Sequence, residues 1–273
     1  MKTRFFFPKL MVASVLVVSV VCTRGADAQR SFERTRLELQ QQGFKTDLKD
    51  FDFSTTPEIS AREAALNSIP RGRPGPVVED PNLMEPARTN EAIVVWKQNS
   101  LRRQTASWPD ESRELAWEHF NDLLNENESE VDAARAAILT GPIRFGLDAS
   151  RGNNLLLRHL PLVKKLTQTL NGRAMLALHD GDRDGAWTNL LAATRLTTAW
   201  IPEPLEVSHR VRFDNAKSAF KATWQAMQTN GWTDDQLSRL QAEWESADFL
   251  SHLPDLQAFR RASDLKMLQS DSL

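Results

Sequence analysis

Apolar residues recur at every third or fourth position along most of the second half of the chain. The clearest case lies between Leu160 and His179, where the apolar positions are Val163, Leu166, Leu170, Ala174 and Ala177. This spacing places one apolar stripe along a helix, and it does not fit the alternation of a half-buried strand. The stripe must be buried against other elements. The sequence therefore predicts an all-α fold, an array of antiparallel helical hairpins that is either α-solenoid-like or an irregular helical bundle.

Local start and stop signals define the other helices. Gly43 ends a first helix over 31–42, Thr56 and Pro57 begin a second, and Thr233 with Gln236 forms a capping box. Further helices are expected over residues 109–124, 130–139, 184–200, 203–229, 234–247 and after Pro254. The last one continues almost to the end of the sequence without a glycine or proline, which is compatible with a truncated repeat array.

Prolines are concentrated in one part of the chain. Five of the 13 lie between Pro70 and Pro86, so this stretch is predicted to be a long surface loop or linker without regular structure. Residues 92–96 are apolar and are compatible with a lone strand or a buried helical turn. The expected organisation is a signal peptide at 1–28, an N-terminal helical segment at 29–69, a Pro-rich linker region at 70–108 and a helical domain at 109–273.

The N-terminus has the three parts of a secretory signal peptide. Lys2, Arg4 and Lys9 are basic, residues 10–21 are mostly apolar, and residues 26–28 read Ala-Asp-Ala. The apolar run is too short to span a membrane. We therefore expect export to the periplasm or outside the cell, without a stable membrane span after cleavage. Acylation of Cys22 is the alternative processing route.

Composition excludes several classes of function. The formal net charge of −2 provides no massed positive charge for nucleic acid. Cys22 is the only cysteine, so the exported chain would contain neither a disulfide nor a catalytic thiolate. No cofactor is expected. A protein or another envelope component is the expected partner, and the oligomeric state stays open.

Two resemblances concern the helical part. Leu170, Ala174, Ala177, Gly181, Ala186, Leu190 and Ala193 have the spacing of a tetratricopeptide-like helix pair, in which small residues let two helices approach closely. A generic helical hairpin explains the same pattern. In addition, the stretches GPIRF, LDASRG and AWTNLLAATRL resemble a family of uncharacterised exported bacterial helical proteins. This second resemblance implies export and no particular activity.

The acidic turn at 180–185 has two interpretations. Asp180, Asp182 and Asp184 have the spacing of the first ligands of a calcium loop, but Leu191 occupies the position of its bidentate glutamate. The favoured interpretation is a helix cap formed by Asp182 or Asp184. We therefore predict no metal site.

Charged residues on two segments are the candidate site. Glu206 and His209 have the spacing of di-iron helix ligands, but a single copy of this motif favours a simple Glu–His pair. Surface ion pairs or loop anchors are the favoured interpretation. The alternative is an anion- or peptide-binding cleft, which forms if the irregular segment after Pro142 meets the start of the helix expected from Glu203. Its candidate residues are Arg144, Asp148, Arg151, Glu206, His209 and Arg212, with Arg158, His159 and Arg210 nearby. Trp96 and Trp108 are candidates for contact with a partner.

The common nucleophile, zinc and nucleotide motifs are absent from the sequence. We therefore expect a non-enzymatic exported scaffold or binding protein of the cell envelope, whose ligand the sequence does not name. The alternative is a helical hydrolase or lyase that acts on a polymer with a pair of carboxyl groups as acid and base.

Cleavage after Ala28 is the first testable prediction, because the small residues at 26 and 28 fit the signal peptidase pattern. N-terminal sequencing of the exported protein should begin at Gln29. Retention of Met1, or a lipid on Cys22 detected by mass spectrometry, would contradict it.

Overall fold

The computed structural model describes residues 29–70 and 117–270, together with the backbone of short strands between residues 77 and 115. The signal peptide predicted at 1–28 and the side chains of Trp96 and Trp108 lie outside the described residues.

Helices make up most of the described chain and pack on one another, which confirms the all-α prediction. Two short 3-10 turns occur at Leu48–Asp50 and Ala149–Asn154. The helices are α1 (residues 29–41), α2 (Pro57–Asn67), α3 (Trp117–Asn125), α4 (Glu128–Thr140), α5 (His159–His179), α6 (Arg183–Thr198), α7 (Glu206–Ala226), α8 (Asp234–Glu245) and α9 (Leu253–Ser270).

Strands occupy part of the region between α2 and α3. They correct one expectation and decide another. The segment from Pro70 to Pro86 was predicted to lack regular structure, yet it contains two short strands. Residues 92–96, which were compatible with two structures, include a strand. The strands are β1 (Val77–Val78), β2 (Met84–Pro86), β3 (Val94–Trp96), β4 (Leu101–Thr105) and β5 (Trp108–Leu115). β1 and β5 pair antiparallel with β4, and β2 pairs antiparallel with β3.

The helix predicted over 109–124 begins only at Trp117, so the prediction is wrong for residues 109–115. These residues belong to β5, in which Leu115 lies opposite Leu101 of β4. Backbone hydrogen bonds to a neighbouring strand replace the bonds that a helix would form four residues away. The helical spacing of apolar residues does not report such pairing, which explains the error.

Helix α5 is the centre of the bundle. More than half of its side chains are buried, and it contacts α3, α6 and α7. At Gly172 the approach of α3 is so close that an added Cβ would lie 2.9 Å from Leu124 Cδ2 and 3.2 Å from Phe120 Cζ. A helix that contacts several others, and not only its sequence neighbours, corresponds to an irregular bundle.

Helices α5 and α6 form the hairpin that their small residues predicted. Ala174 and Ala186 are fully buried, and Leu190 is 1% exposed. Gly181 turns the chain with φ +82°. The side chain of Asp182 accepts a hydrogen bond from the backbone N–H of Gly185 at 2.9 Å, which confirms the helix cap in the acidic turn.

Helix α9 packs on the segment that follows α1. The ring of Phe259 contacts those of Phe51 and Phe53, with centroid distances of 5.1 and 5.9 Å. Lys45 Nζ forms an ion pair with Asp255 Oδ2 at 2.8 Å near the start of the helix. This small aromatic cluster joins the two ends of the described chain.

Three arginines connect the ends of helices to their neighbours. Arg173 donates to the carbonyl of Leu124 with two nitrogens, at 3.3 and 3.1 Å. Arg195 donates to Ile138 O at 3.1 Å, and Arg212 donates to Thr197 O at 2.7 Å. The last carbonyls of a helix have no partner within the helix. Each arginine therefore satisfies a helix end and links it to the helix that carries the arginine.

Replacing one of these arginines should destabilise the protein. Arg173→Met leaves the Leu124 carbonyl and Asp132 without the guanidinium that they bind. We expect a loss of about 1.5–3 kcal/mol in the free energy of unfolding, measured in urea. The control is Arg210→Met, because Arg210 is 72% exposed and its ion pair with Glu206 lies within α7. Equal effects of the two variants would contradict the capping role.

Candidate functional site

A surface groove lies where the 3-10 turn at Ala149–Asn154 meets the start of α7 and one side of α9. Its volume is about 390 Å³. Apolar and polar side chains both line it. The apolar ones are Leu155, Leu157, Pro204, Leu205, Val207, Leu256 and Phe259, and the polar ones are Glu206, Gln257, Arg260 and Asp264. Gly152 completes the lining. We call this set the groove.

The chain enters α7 in an extended conformation, which forms one wall of the groove. Leu205 precedes the helix with φ −128° and ψ 125°. Pro204 disfavours a helical conformation at the residue before it. Because Leu205 is also extended, the helix predicted from residue 203 begins at Glu206. Val207, in the first turn of the helix, is 55% exposed in the groove.

A buried polar cluster holds this entry segment in place. His159 Nε2 lies 2.9 and 3.1 Å from the two carboxylate oxygens of Glu203. The hydroxyl of Ser208 donates to the same carboxylate. The side chain of Glu203 is only 1% exposed, so His159 and Ser208 take the place of water around its carboxyl group.

Aromatic rings enclose the histidine of this cluster. The ring of Phe145 stacks on that of His159 with a centroid distance of 4.3 Å, and Trp200 contacts both rings edge-on. The cluster is sealed inside the protein and does not line the groove. The role of the cluster is therefore structural, because it holds residues 204–207 in position.

The structure separates the six residues predicted to form a cleft. Of the six, Glu206 lines the groove, and Arg151 lines a second depression that adjoins it. Arg144 donates to the backbone carbonyls of Asp52 and Ser54, and Arg212 to those of Thr197 and Asp248. These two arginines are anchors between segments. The predicted meeting of the irregular segment with the start of α7 does occur, but mostly through apolar residues.

The other candidates also have local partners. Asp148 accepts hydrogen bonds from the hydroxyl and the backbone N–H of Ser150, and these bonds lower the pKa of its carboxyl group. Arg151 Nε lies 3.6 Å from Asp148 Oδ2. The predicted pairing of Glu206 with His209 is wrong. Glu206 instead pairs with Arg210 at 2.9 Å. Both His209 and Arg210 lie one helical turn from Glu206, and the arginine is the one that contacts it.

His209 contacts the ring of Phe213 and lies near Arg212 and His252. Burial lowers the pKa of His209, and the neighbouring charges of Arg212 and His252 lower it further. This environment favours the neutral imidazole.

Sequence reasoning missed the residues that build the groove. Glu203 lies between two prolines, a position typical of an exposed loop, and no local pattern indicates that it is buried. The apolar residues of α9 carry no sign that they lie beside α7, since the two segments are about 50 residues apart in sequence. Only the order Pro-Glu-Pro, which interrupts the helical pattern, could have marked an unusual entry to α7.

Two further features concern only the part of the chain that the structure describes. No three His, Cys, Asp or Glu side chains there come close enough together to hold a metal ion. None of the helices there has both the length and the apolar character that crossing a membrane requires.

Comparison with known proteins adds no further assignment. No protein-family model, no curated protein and no solved structure matches this chain. The resemblance to exported bacterial helical proteins therefore stays a prediction.

Removing the buried carboxylate should destabilise the fold far more than removing its exposed neighbour. Glu203→Ala leaves His159 and Ser208 without their buried partner, and we expect a cost of about 3–5 kcal/mol in urea unfolding. The control is Glu206→Ala, whose exposed ion pair is worth at most about 1 kcal/mol. A small effect of Glu203→Ala would contradict the positioning role of the cluster.

Proposed function

We propose that this protein is an exported, non-enzymatic helical binding protein of the cell envelope that binds an extended segment of another protein in the groove. The observation that carries the proposal is the combination of exposed apolar side chains with a polar rim at one place. Val207 is 55% exposed, and Leu205 and Leu256 beside it are half-buried.

The groove has the properties of a binding site for a peptide. Its apolar side chains belong to elements that are held by the buried Glu203 cluster and by Phe259, so they do not need to be ordered when a ligand binds. Apolar surface that remains exposed on a folded protein commonly marks an interaction site. Gln257 and Arg260 on the rim provide hydrogen-bond donors for a peptide backbone.

A hydrolase or lyase receives less support from this groove. Acid catalysis with carboxyl groups requires one of them to be protonated in an apolar environment. Glu206 is instead 67% exposed and paired with Arg210. The buried carboxylate, that of Glu203, is enclosed by side chains and does not line the groove.

Export and a repeat origin belong to the same proposal. Export is supported by the basic residues, the apolar run and the Ala-Asp-Ala sequence of residues 1–28, and by the resemblance of three stretches to exported helical proteins. A tetratricopeptide-like origin of the α5–α6 hairpin is supported by the buried small residues Ala174 and Ala186.

A peptide library tests the proposed function. The purified protein is immobilised and exposed to a pooled synthetic library of octapeptides rich in apolar residues. We expect it to retain a defined subset, and Val207→Asp to reduce that retention about tenfold or more, because a charge in the apolar groove opposes burial of the peptide.

The matched control is Leu250→Asp, because Leu250 is similarly exposed at 67% but does not line the groove. This variant should retain the same peptides as the unmodified protein. If no peptide is retained, or if both variants lose retention equally, the proposed function is wrong.

A further inference from the structure

A second depression with basic side chains adjoins the groove. Its volume is about 350 Å³, and Gly152 lines both. The other lining residues are Ser150, Arg151, Asn154, Ser263, Lys266 and Met267. We call this set the basic pocket. It lies further along α9, next to the part of the helix that borders the groove.

A buried hydroxyl group in the basic pocket lacks a partner. Ser263 is 3% exposed, and its Oγ has no hydrogen-bond partner among the described residues. A Cβ added to Gly152 would lie 3.4 Å from this oxygen, so glycine lets the turn approach the hydroxyl closely. A buried donor without a partner has a free-energy cost that a ligand with an acceptor atom removes.

The charges of the basic pocket fit a ligand with one negative charge. Arg151 and Lys266 contribute two positive charges to the lining. Lys266 Nζ donates one hydrogen bond to the carbonyl of Ser150, and its two other N–H groups are donors for a ligand. The carboxylate of Asp148 lies 3.6 Å from Arg151, and the charge of Lys266 also acts on it. The net charge of these three groups is one positive. A carboxylate balances it, whereas a doubly charged phosphate would leave an excess of negative charge.

A short extended peptide in the groove is long enough to reach the basic pocket. The α9 residues that line the two depressions extend from Leu256 to Met267. At 1.5 Å per residue this part of the helix is about 16 Å long. About five residues of an extended peptide cover the same distance. The donors on the rim of the groove suit a peptide backbone, which a fatty acyl chain lacks.

We propose that the basic pocket binds the C-terminal carboxylate of a peptide whose preceding apolar residues lie in the groove. Arg151, Lys266 and the Ser263 hydroxyl donate hydrogen bonds to the two carboxylate oxygens. This inference rests on the proposed function, because it specifies where the C-terminus of the peptide in the groove is bound.

The experiment compares octapeptides from the library with a free C-terminal carboxyl group against the same peptides with a C-terminal amide. Affinity is measured by calorimetry on the full protein. The free acids should bind at least about tenfold more tightly than the amides, because hydrogen bonds to a charged carboxylate are stronger than those to a neutral amide. Decanoic acid, which has the carboxylate without a peptide backbone, should bind far more weakly than the peptides.

Variants then assign the effect to the pocket. Lys266→Gln should remove most of the difference between acid and amide, and Ser263→Ala should reduce it. The control is Arg261→Gln, because Arg261 is exposed on the same helix and does not line the pocket. Lys266 is exposed, but its ammonium group also donates to the carbonyl of Ser150, so the thermal unfolding temperature of each variant checks that it folds.

The outcomes separate the two proposals. If acids and amides bind equally, or if Arg261→Gln acts like Lys266→Gln, the inference about the carboxylate is wrong while the peptide groove stands. Tight binding of decanoic acid by a protein that binds no peptide would overturn both proposals.

Discussion

The hydrogen bonds from three arginines to the ends of neighbouring helices are the interaction on which the rest of this structure depends. A helix leaves its last carbonyls without partners, and burial of such groups away from water is costly. Arg173, Arg195 and Arg212 resolve this at α3, α4 and α6. Each bond also defines the position of one helix along its neighbour, because the donor and the carbonyl belong to different helices. The bundle thus has a defined register in addition to its apolar core.

The same bonds decide which cations remain for ligand recognition. Arg144 and Arg212 use their nitrogens on backbone carbonyls, so they contribute to the fold and not to a binding surface. Arg151 is 54% exposed, and Lys266 is exposed on α9. Lys266 Nζ donates one hydrogen bond to the carbonyl of Ser150, and its ammonium group has two further N–H donors. Positive charge therefore lies beside the 3-10 turn, next to apolar side chains that the packing of α7 and α9 leaves uncovered.

Much of the fold could be predicted because its signals act over a few residues. The boundaries of α5 and α6 follow from apolar spacing, and the caps at Asp182 and Thr233 connect groups three residues apart. The prediction failed at residues 109–115, where β5 bonds to β4. It also failed for Glu206, whose partner one helical turn away is Arg210 and not His209. In both cases several arrangements satisfied the local pattern, and a competing contact decided between them.

The sequence by itself determined the helices, most of their ends, and the close α5–α6 hairpin, because backbone hydrogen bonds, caps and small residues at a crossing are local properties. Only the tertiary structure decided that Glu203 is buried against His159, that arginines cap neighbouring helices, and that Gly152, Val207 and Leu256 border one groove. These contacts join segments that are far apart in the chain. Their formation depends on the packing of all helices at once, so no single segment carries the information that specifies them.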